Sequence, residues 1–146
     1  MIRLEGGDKV MSEIKDMESF LRNATGEFIY TGHNGTYVDP RYKFAYFGSE
    51  SDPYAVFVGR DTSTGQYATG VHIIFMKRLD FADFDVPVSP EVSAGFDSRG
   101  VALETVSGRI SGMFSNSRKK AVIAFDFITR QGTNSWTVKG YLRLSA

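Results

Sequence analysis

Residues 121–129 read AVIAFDFIT, and alternation puts Ile123, Phe125 and Phe127 on one face and Asp126 on the other. A period of two in β-branched and aromatic residues marks a strand with one face in a core. The segment is bounded by NSRKK and RQGTN, both rich in turn-forming residues. Beyond those turns stand VALETVSGRISGMF (101–114) and SWTVKGYLRL (135–144). One face of the first carries Val106, Gly108, Ile110, Gly112 and Phe114, and one face of the second carries Trp136, Val138, Leu142 and Leu144. Three hairpin-linked strands therefore offer one apolar wall. Two glycines alternating with large residues bend a strand and make room for its neighbours, which favours a barrel. The opposite faces carry Thr105, Ser107, Arg109 and Ser111, then Asp126, then Lys139, Tyr141 and Arg143. They read as a solvated outer surface with cross-strand ion pairs worth roughly 0–1 kcal/mol each. Burying so many charges would cost several kcal/mol per ion before pairing returned any of it.

The same grammar runs upstream through EFIYT (27–31), YKFAYF (42–47), YAVFVG (54–59) and YATGVHIIFMK (67–77), separated by GHNG and DTSTG. The expected fold is mainly β: an antiparallel β-barrel or sandwich of about seven to eight strands, the strands beginning at about residue 27. One segment reads as a helix, over about 8–23. Val10, Ile14, Met17 and Leu21 fall on one helical face, Asp8 can cap the start and Gly26 can end it. In 67–77, Val71, Ile73 and Phe75 lie on one face and His72, Ile74 and Met76 on the other. A strand apolar on both faces needs cover on both, and the amphipathic helix is the element expected to supply it, with His72 at that boundary. No linker or repeat divides the chain, so residues 1–146 read as a single β-rich domain.

LDFADFDVP (79–87) sets three aspartates among two phenylalanines. As a strand it would place Leu79, Phe81, Asp83 and Asp85 together, mixing apolar and charged groups. As a calcium loop it lacks the glycine and the distal acid. The expectation is a single helical turn, capped by Asp80 and Asp83, that plugs the β structure with Phe81 and Phe84 and is ended by Pro87 and Pro90.

Composition removes several functions. Of 146 residues, 17 are basic and 17 acidic, so nothing marks a nucleic-acid or anionic-membrane surface. The run Arg118-Lys119-Lys120 reads as a hairpin loop. There is no cysteine, hence no disulfide or thiolate chemistry. No segment approaches the ~20 apolar residues of a membrane span. MIRLEGGDKV lacks an apolar signal core, and MSEIKDM at 11 reads as a second start. A cytoplasmic location is the default, with signal-free export as the alternative. No nucleophile elbow, phosphate loop, dinucleotide fingerprint or paired-histidine zinc motif occurs, so neither catalysis nor a cofactor or metal is expected. Asn23-Ala24-Thr25 and Asn34-Gly35-Thr36 match glycosylation sequons, and Asn34-Gly35 signals a tight hairpin beside His33.

Tyrosine is distributed unevenly. Six of seven, Tyr30, Tyr37, Tyr42, Tyr46, Tyr54 and Tyr67, lie between 30 and 67. Tyrosine and arginine favour binding surfaces, because a rigid amphipathic ring loses little entropy on contact. The candidate binding residues are Tyr37, Arg41, Tyr42, Tyr54 and Tyr67, with Tyr37 and Tyr54 expected exposed at turn margins and Trp136 expected buried. The expected function is a non-enzymatic binding module recognising a protein or a glycan. The alternatives are a calycin-like barrel carrying a small apolar ligand and a membrane-active, toxin-like β protein.

Overall fold

The computed structural model describes residues 21–48, 54–79 and 83–146. Among these residues, alternating apolar side chains form twelve strands: β1 (Arg22–Asn23), β2 (Thr25–Thr31), β3 (Tyr37–Val38), β4 (Tyr42–Phe47), β5 (Ala55–Arg60), β6 (Gly70–Phe75), β7 (Phe84–Pro87), β8 (Val92–Ser98), β9 (Val101–Ala102), β10 (Glu104–Ser115), β11 (Lys120–Gln131) and β12 (Asn134–Ser145). They make two six-stranded sheets, in orders β1-β4-β5-β6-β8-β9 and β3-β2-β12-β11-β10-β7. Every pairing is antiparallel.

The sheets do not close into the barrel that the glycines of 101–114 suggested. The four end strands are only two to four residues long and do not pair with one another, so the two sheets are held by side chains across the core. The glycines serve the sheet instead. A Cβ on Gly112, at φ +140°, would overlap the Val122 carbonyl, and one on Gly108 would overlap Phe127. Both let β10 lie close to β11.

β11 alternates without a break, with Ala121, Ile123, Phe125, Phe127 and Thr129 buried and the intervening residues exposed. Its partner β10 shifts register between Thr105 and Ser107. The extra residue of that bulge is Val106, which turns outward and is 45% exposed, leaving the core face expected of it. Thr105 turns inward, and its hydroxyl donates to the Ala94 carbonyl of the other sheet at 2.7 Å.

Between the sheets, Phe57, Phe75, Phe84 and Phe114 pack mostly edge to face, and the tightest pair, Phe75 and Phe114, is tilted at 52° with ring centres 4.7 Å apart. Phe84 reaches this cluster from a strand, not from the capped turn expected at 79–87. β7 pairs with β10, turning Phe84 inward and Asp85 outward, where Arg109 Nε donates to Asp85 Oδ1 at 2.9 Å. Pro87 is tolerated because β7 lies at a sheet edge. Alternation works here once counted from Phe84; residues 80–82, with the proposed cap Asp80 and plug Phe81, lie outside the described residues.

β5 and β6 are buried on both faces, as the double apolar pattern of 67–77 demanded. The outer face of their sheet carries a second cluster of Leu21, Phe44, Val56, Val58 and Ile74. The helix expected over about 8–23 falls largely outside the described residues, and its last positions depart from it. Arg22 and Asn23 pair with Ala45 and Phe44 as β1. Gly26, read as the helix stop, belongs to β2 at φ +122°, where a Cβ would overlap the Arg143 carbonyl. Arg118 and Lys119 lie in the β10–β11 turn, as expected.

Because Phe114 touches Tyr54, Phe57, Phe75 and Phe84, Phe114→Ala should leave a cavity that the two sheets cannot both fill. A loss of about 3–5 kcal/mol in urea unfolding is expected.

Candidate functional site

The register fixes which loops share an end. In the first sheet Tyr42 opposes Arg60, Arg60 opposes Gly70, Gly70 opposes Asp97 and Asp97 opposes Ala102. In the second, Thr31 opposes Tyr37, Gln131 opposes Asn134 and Glu104 opposes Arg130. The aromatic contacts Tyr30–Phe96 (6.1 Å) and Phe96–Trp136 (5.9 Å) join these two rows across the core. Loops 32–36, 39–41, 61–69, 99–100 and 132–133 therefore gather at one end of the sandwich.

Four of the five candidate binding residues belong to that end. Tyr37 is 76% exposed and Tyr67 71% exposed. Arg41 is exposed, with its guanidinium 5.5 Å from the Tyr42 ring. Tyr42 is half-buried and stacks in parallel on Phe44 at 6.4 Å, at the margin of the second apolar cluster. Tyr54 departs from its expected exposure: only 5% of it is accessible. It lies at the opposite end, its amide donating to the Phe75 carbonyl at 2.6 Å and its ring against Phe114. The Asn116 side chain donates to the carbonyls of Tyr54 and Gly48, tying the chain down just before β5. A tyrosine locked by its backbone beside a core strand packs inward.

The loop that carries Tyr67 is built in detail. Tyr67 has φ +61° and Arg99 φ +51°, both in the left-handed region that disfavours residues with a Cβ. The backbone is held there by a network. Asp61 and Thr69 bond reciprocally, Gly100 donates to the Ala68 carbonyl, and the Arg99 amide donates to Thr69 Oγ1. From below, the buried Arg60 donates to the carbonyls of Thr62 and Ser63. A left-handed residue costs about 1–2 kcal/mol, and an exposed tyrosine ring recovers little of that by packing.

At the rim of the same end stands Trp136, half-buried where full burial was expected. Its face belongs with Val138 and Leu142, but its position at the start of β12 leaves it at the mouth of the core. Phe96 meets it edge-on at 78°, and the His33 ring lies 4.3 Å away. The indole Nε1 is enclosed and has no acceptor among the described residues. On the other side of Phe96, burial pushes the Tyr30 phenol up to about 12, and the charge of Asp61 adds to the shift.

On the outer face of the first sheet, His72 Nδ1 lies 2.8 Å from Asp97 Oδ2, both side chains almost wholly enclosed. Asp97 Oδ1 is buried without a partner among the described residues. His72 was expected at the boundary with the helix, and sequence reasoning missed Asp97 and Arg60 altogether. Its available signal was Gly95: a Cβ there would lie 2.6 Å from the imidazole, so the ring requires glycine opposite it. Among the described residues the imidazole hydrogen-bonds only Asp97, which makes the pair a cross-strand tie. On the outer face of the second sheet, a depression of about 240 Å³ is lined by Ser107, Gly108, Arg109, Asp126, Phe127 and Ile128. Its charged lining is unsuited to an apolar ligand. Among the described residues no three His, Cys, Asp or Glu side chains are grouped to hold a metal ion, and no helix is long and apolar enough to cross a membrane.

Two measurements check this geometry. Asp97→Ala leaves a buried imidazole without its partner and should lower stability by about 1–3 kcal/mol in urea unfolding, with Asp97→Asn closer to the parent. The second concerns Tyr30, whose pKa is raised in the folded state. Its neutral form therefore adds stability in full below pH 10, and that contribution is lost as pH rises toward 12. Tyr30→Phe should flatten the alkaline fall in melting temperature over that interval, by the equivalent of about 1–2 kcal/mol once solvent at the rim is allowed for.

No protein-family model matches the chain, and neither a curated protein nor a solved structure matches it. The functional reading therefore rests on the geometry of this loop end.

Proposed function

We propose that the protein is a non-enzymatic binding module that recognises a protein or a glycan through the loop end bearing Tyr37, Arg41, Tyr42 and Tyr67. The observation that carries this reading is Tyr67: a 71% exposed aromatic residue held at φ +61° by the surrounding network. Strained backbone persists only where its surroundings over-determine it, and it concentrates at sites of function. A folding requirement alone would be met better by glycine, which occupies the left-handed region without penalty. Tyr37 and Arg41 belong to the same loop end and are further groups of the kind that dominate recognition. Loops on a rigid β frame are also the usual carriers of binding residues.

Tyr67→Gly separates recognition from folding. It removes the ring and relieves the backbone, so stability should rise by about 1 kcal/mol while binding falls. Tyr37→Ala should fold like the parent and weaken binding by tenfold or more, the scale of an interface anchor at ~2 kcal/mol. Binding would be scored on a glycan array and by affinity capture of proteins, with melting temperature measured in parallel. If both variants bind as the parent does, the loop end is not the recognition surface.

A further inference from the structure

Asn34-Gly35 occupies the turn between β2 and β3. The Gly32 amide donates to the Thr36 carbonyl at 2.8 Å and the Gly35 amide to the Gly32 carbonyl at 3.0 Å, which closes the turn. Asn34, Gly35 and Thr36 are all exposed. Gly35 sits at φ +82°, and no atom lies within 4 Å of the place a Cβ would take. The Asn34 side chain is held by its oxygen alone. Oδ1 accepts from the Thr36 amide at 3.1 Å and from Thr36 Oγ1 at 2.6 Å. Its Nδ2 makes no hydrogen bond among the described residues.

Two donors on the oxygen and no tie on the nitrogen are what a carboxamide needs to react at its carbon. The donors polarise the Cγ–Oδ1 bond and stand where negative charge develops when a nucleophile adds to Cγ. A nucleophile is next in the chain: the backbone nitrogen of Gly35, a residue with no Cβ to hinder ring closure. The other three asparagines lack part of this set. Asn116 spends its Nδ2 on the carbonyls of Gly48 and Tyr54, and its Oδ1 is buried. Asn23 is held in β1 opposite Phe44 and precedes Ala24. Asn134 is exposed, but Ser135 follows it, and no donor reaches its side-chain oxygen among the described residues.

We infer that Asn34 is a self-modification site, at which the chain converts its own asparagine to aspartate and isoaspartate with Thr36 stabilising the oxyanion. The Gly35 nitrogen gives its proton to solvent and bonds to Asn34 Cγ, placing negative charge on Oδ1. The Cγ–Nδ2 bond then breaks, and Nδ2 leaves as ammonia. Water opens the resulting succinimide at either carbonyl. Attack at Cγ yields aspartate in an ordinary backbone, and attack at the Asn34 backbone carbonyl yields isoaspartate. The sum is amide plus water to acid plus ammonia, with no oxidant or reductant. The bond from Gly35 to the Gly32 carbonyl has to open first, so the rate follows local opening of the turn. Each conversion adds a negative charge to the turn that carries His33 and leads into Tyr37. Isoaspartate also lengthens the backbone of a hairpin held in register only by the Tyr30–Val38 and Thr31–Tyr37 pairs. The loop end therefore ages by this chemistry, whatever it binds.

The full-length protein is incubated warm in mildly alkaline buffer, and samples are mapped by peptide mass spectrometry, with isoaspartate separated from aspartate by retention. Asn34 should lose its amide before Asn23, Asn116 and Asn134, with isoaspartate among the products. A donor to a developing oxyanion is worth about 10²–10³ in rate in an enclosed site, and in this exposed turn Thr36→Val should slow conversion about tenfold. Thr36→Ser keeps the hydroxyl and should react at the parent rate. In concentrated urea the turn is lost, and the parent, Thr36→Val and Thr36→Ser should converge. Unchanged melting temperatures establish that the variants fold, as an exposed position allows. The inference is overturned if another asparagine converts before Asn34, or if aspartate forms without isoaspartate, which is direct hydrolysis. It is equally overturned if folded Thr36→Val reacts as fast as the parent, or if its slowing persists in urea and so owes nothing to the turn.

Discussion

The contact between Phe75 of β6 and Phe114 of β10, 4.7 Å between ring centres, is where the two sheets are locked together. Without cysteine the chain has no covalent tie, and the end strands of the two sheets do not pair into a barrel. Burial across the sheet interface must therefore carry the fold. Phe57 and Phe84 join the same cluster from β5 and β7, so four strands of two sheets depend on one set of rings. Edge-to-face packing is directional as well as apolar. It sets the stacking of the sheets and, through the register, which loops meet at each end.

That arrangement divides the molecule into two unlike ends. At one, Tyr54 is pulled inward against Phe114, and the Asn116 side chain closes the loop by bonding to backbone carbonyls. At the other, Tyr30, Phe96 and Trp136 stand toward the rim, and the loops beyond them carry the exposed rings of Tyr37 and Tyr67, the latter on strained backbone. Rigidity below and strain above belong together. The left-handed Tyr67 can persist only because Arg60, Asp61, Thr69 and Gly100 tie its loop to strands that cannot move.

The first sheet shows how polar groups can stabilise a surface buried on both sides. Val56, Val58 and Ile74 bury its outer face, and His72, Asp97 and Arg60 lie in the same layer. Each polar side chain there is matched by a neighbour that yields space or charge. Gly95 leaves room for the imidazole, Asp97 bonds it, and the Phe44 ring lies 4.5 Å from the Arg60 guanidinium. The residual mismatch is Asp97 Oδ1, which finds no donor among the described residues.

Local pattern alone determined the strands of the second half. Period-two alternation in 121–129 and 135–144 named their inward residues, because a pleated strand with one solvated face must alternate. The doubly apolar character of 67–77 likewise required cover on both faces. What the sequence could not decide is closure, since whether four short end strands meet or stop depends on how sheets stack, a matter of distant residues. The Thr105/Ser107 bulge was hidden for the same reason: Val106 is apolar and in phase, and only the register against β11 turns it out. Tyr37 and Tyr67 were legible as candidates by composition. Tyr54 was misread because its burial is imposed by Phe75 and Asn116, partners 21 and 62 residues away. The chain of ring contacts from Tyr30 through Phe96 and Trp136 to His33 was invisible in the sequence, because only the stacking of two sheets brings those four positions to one rim.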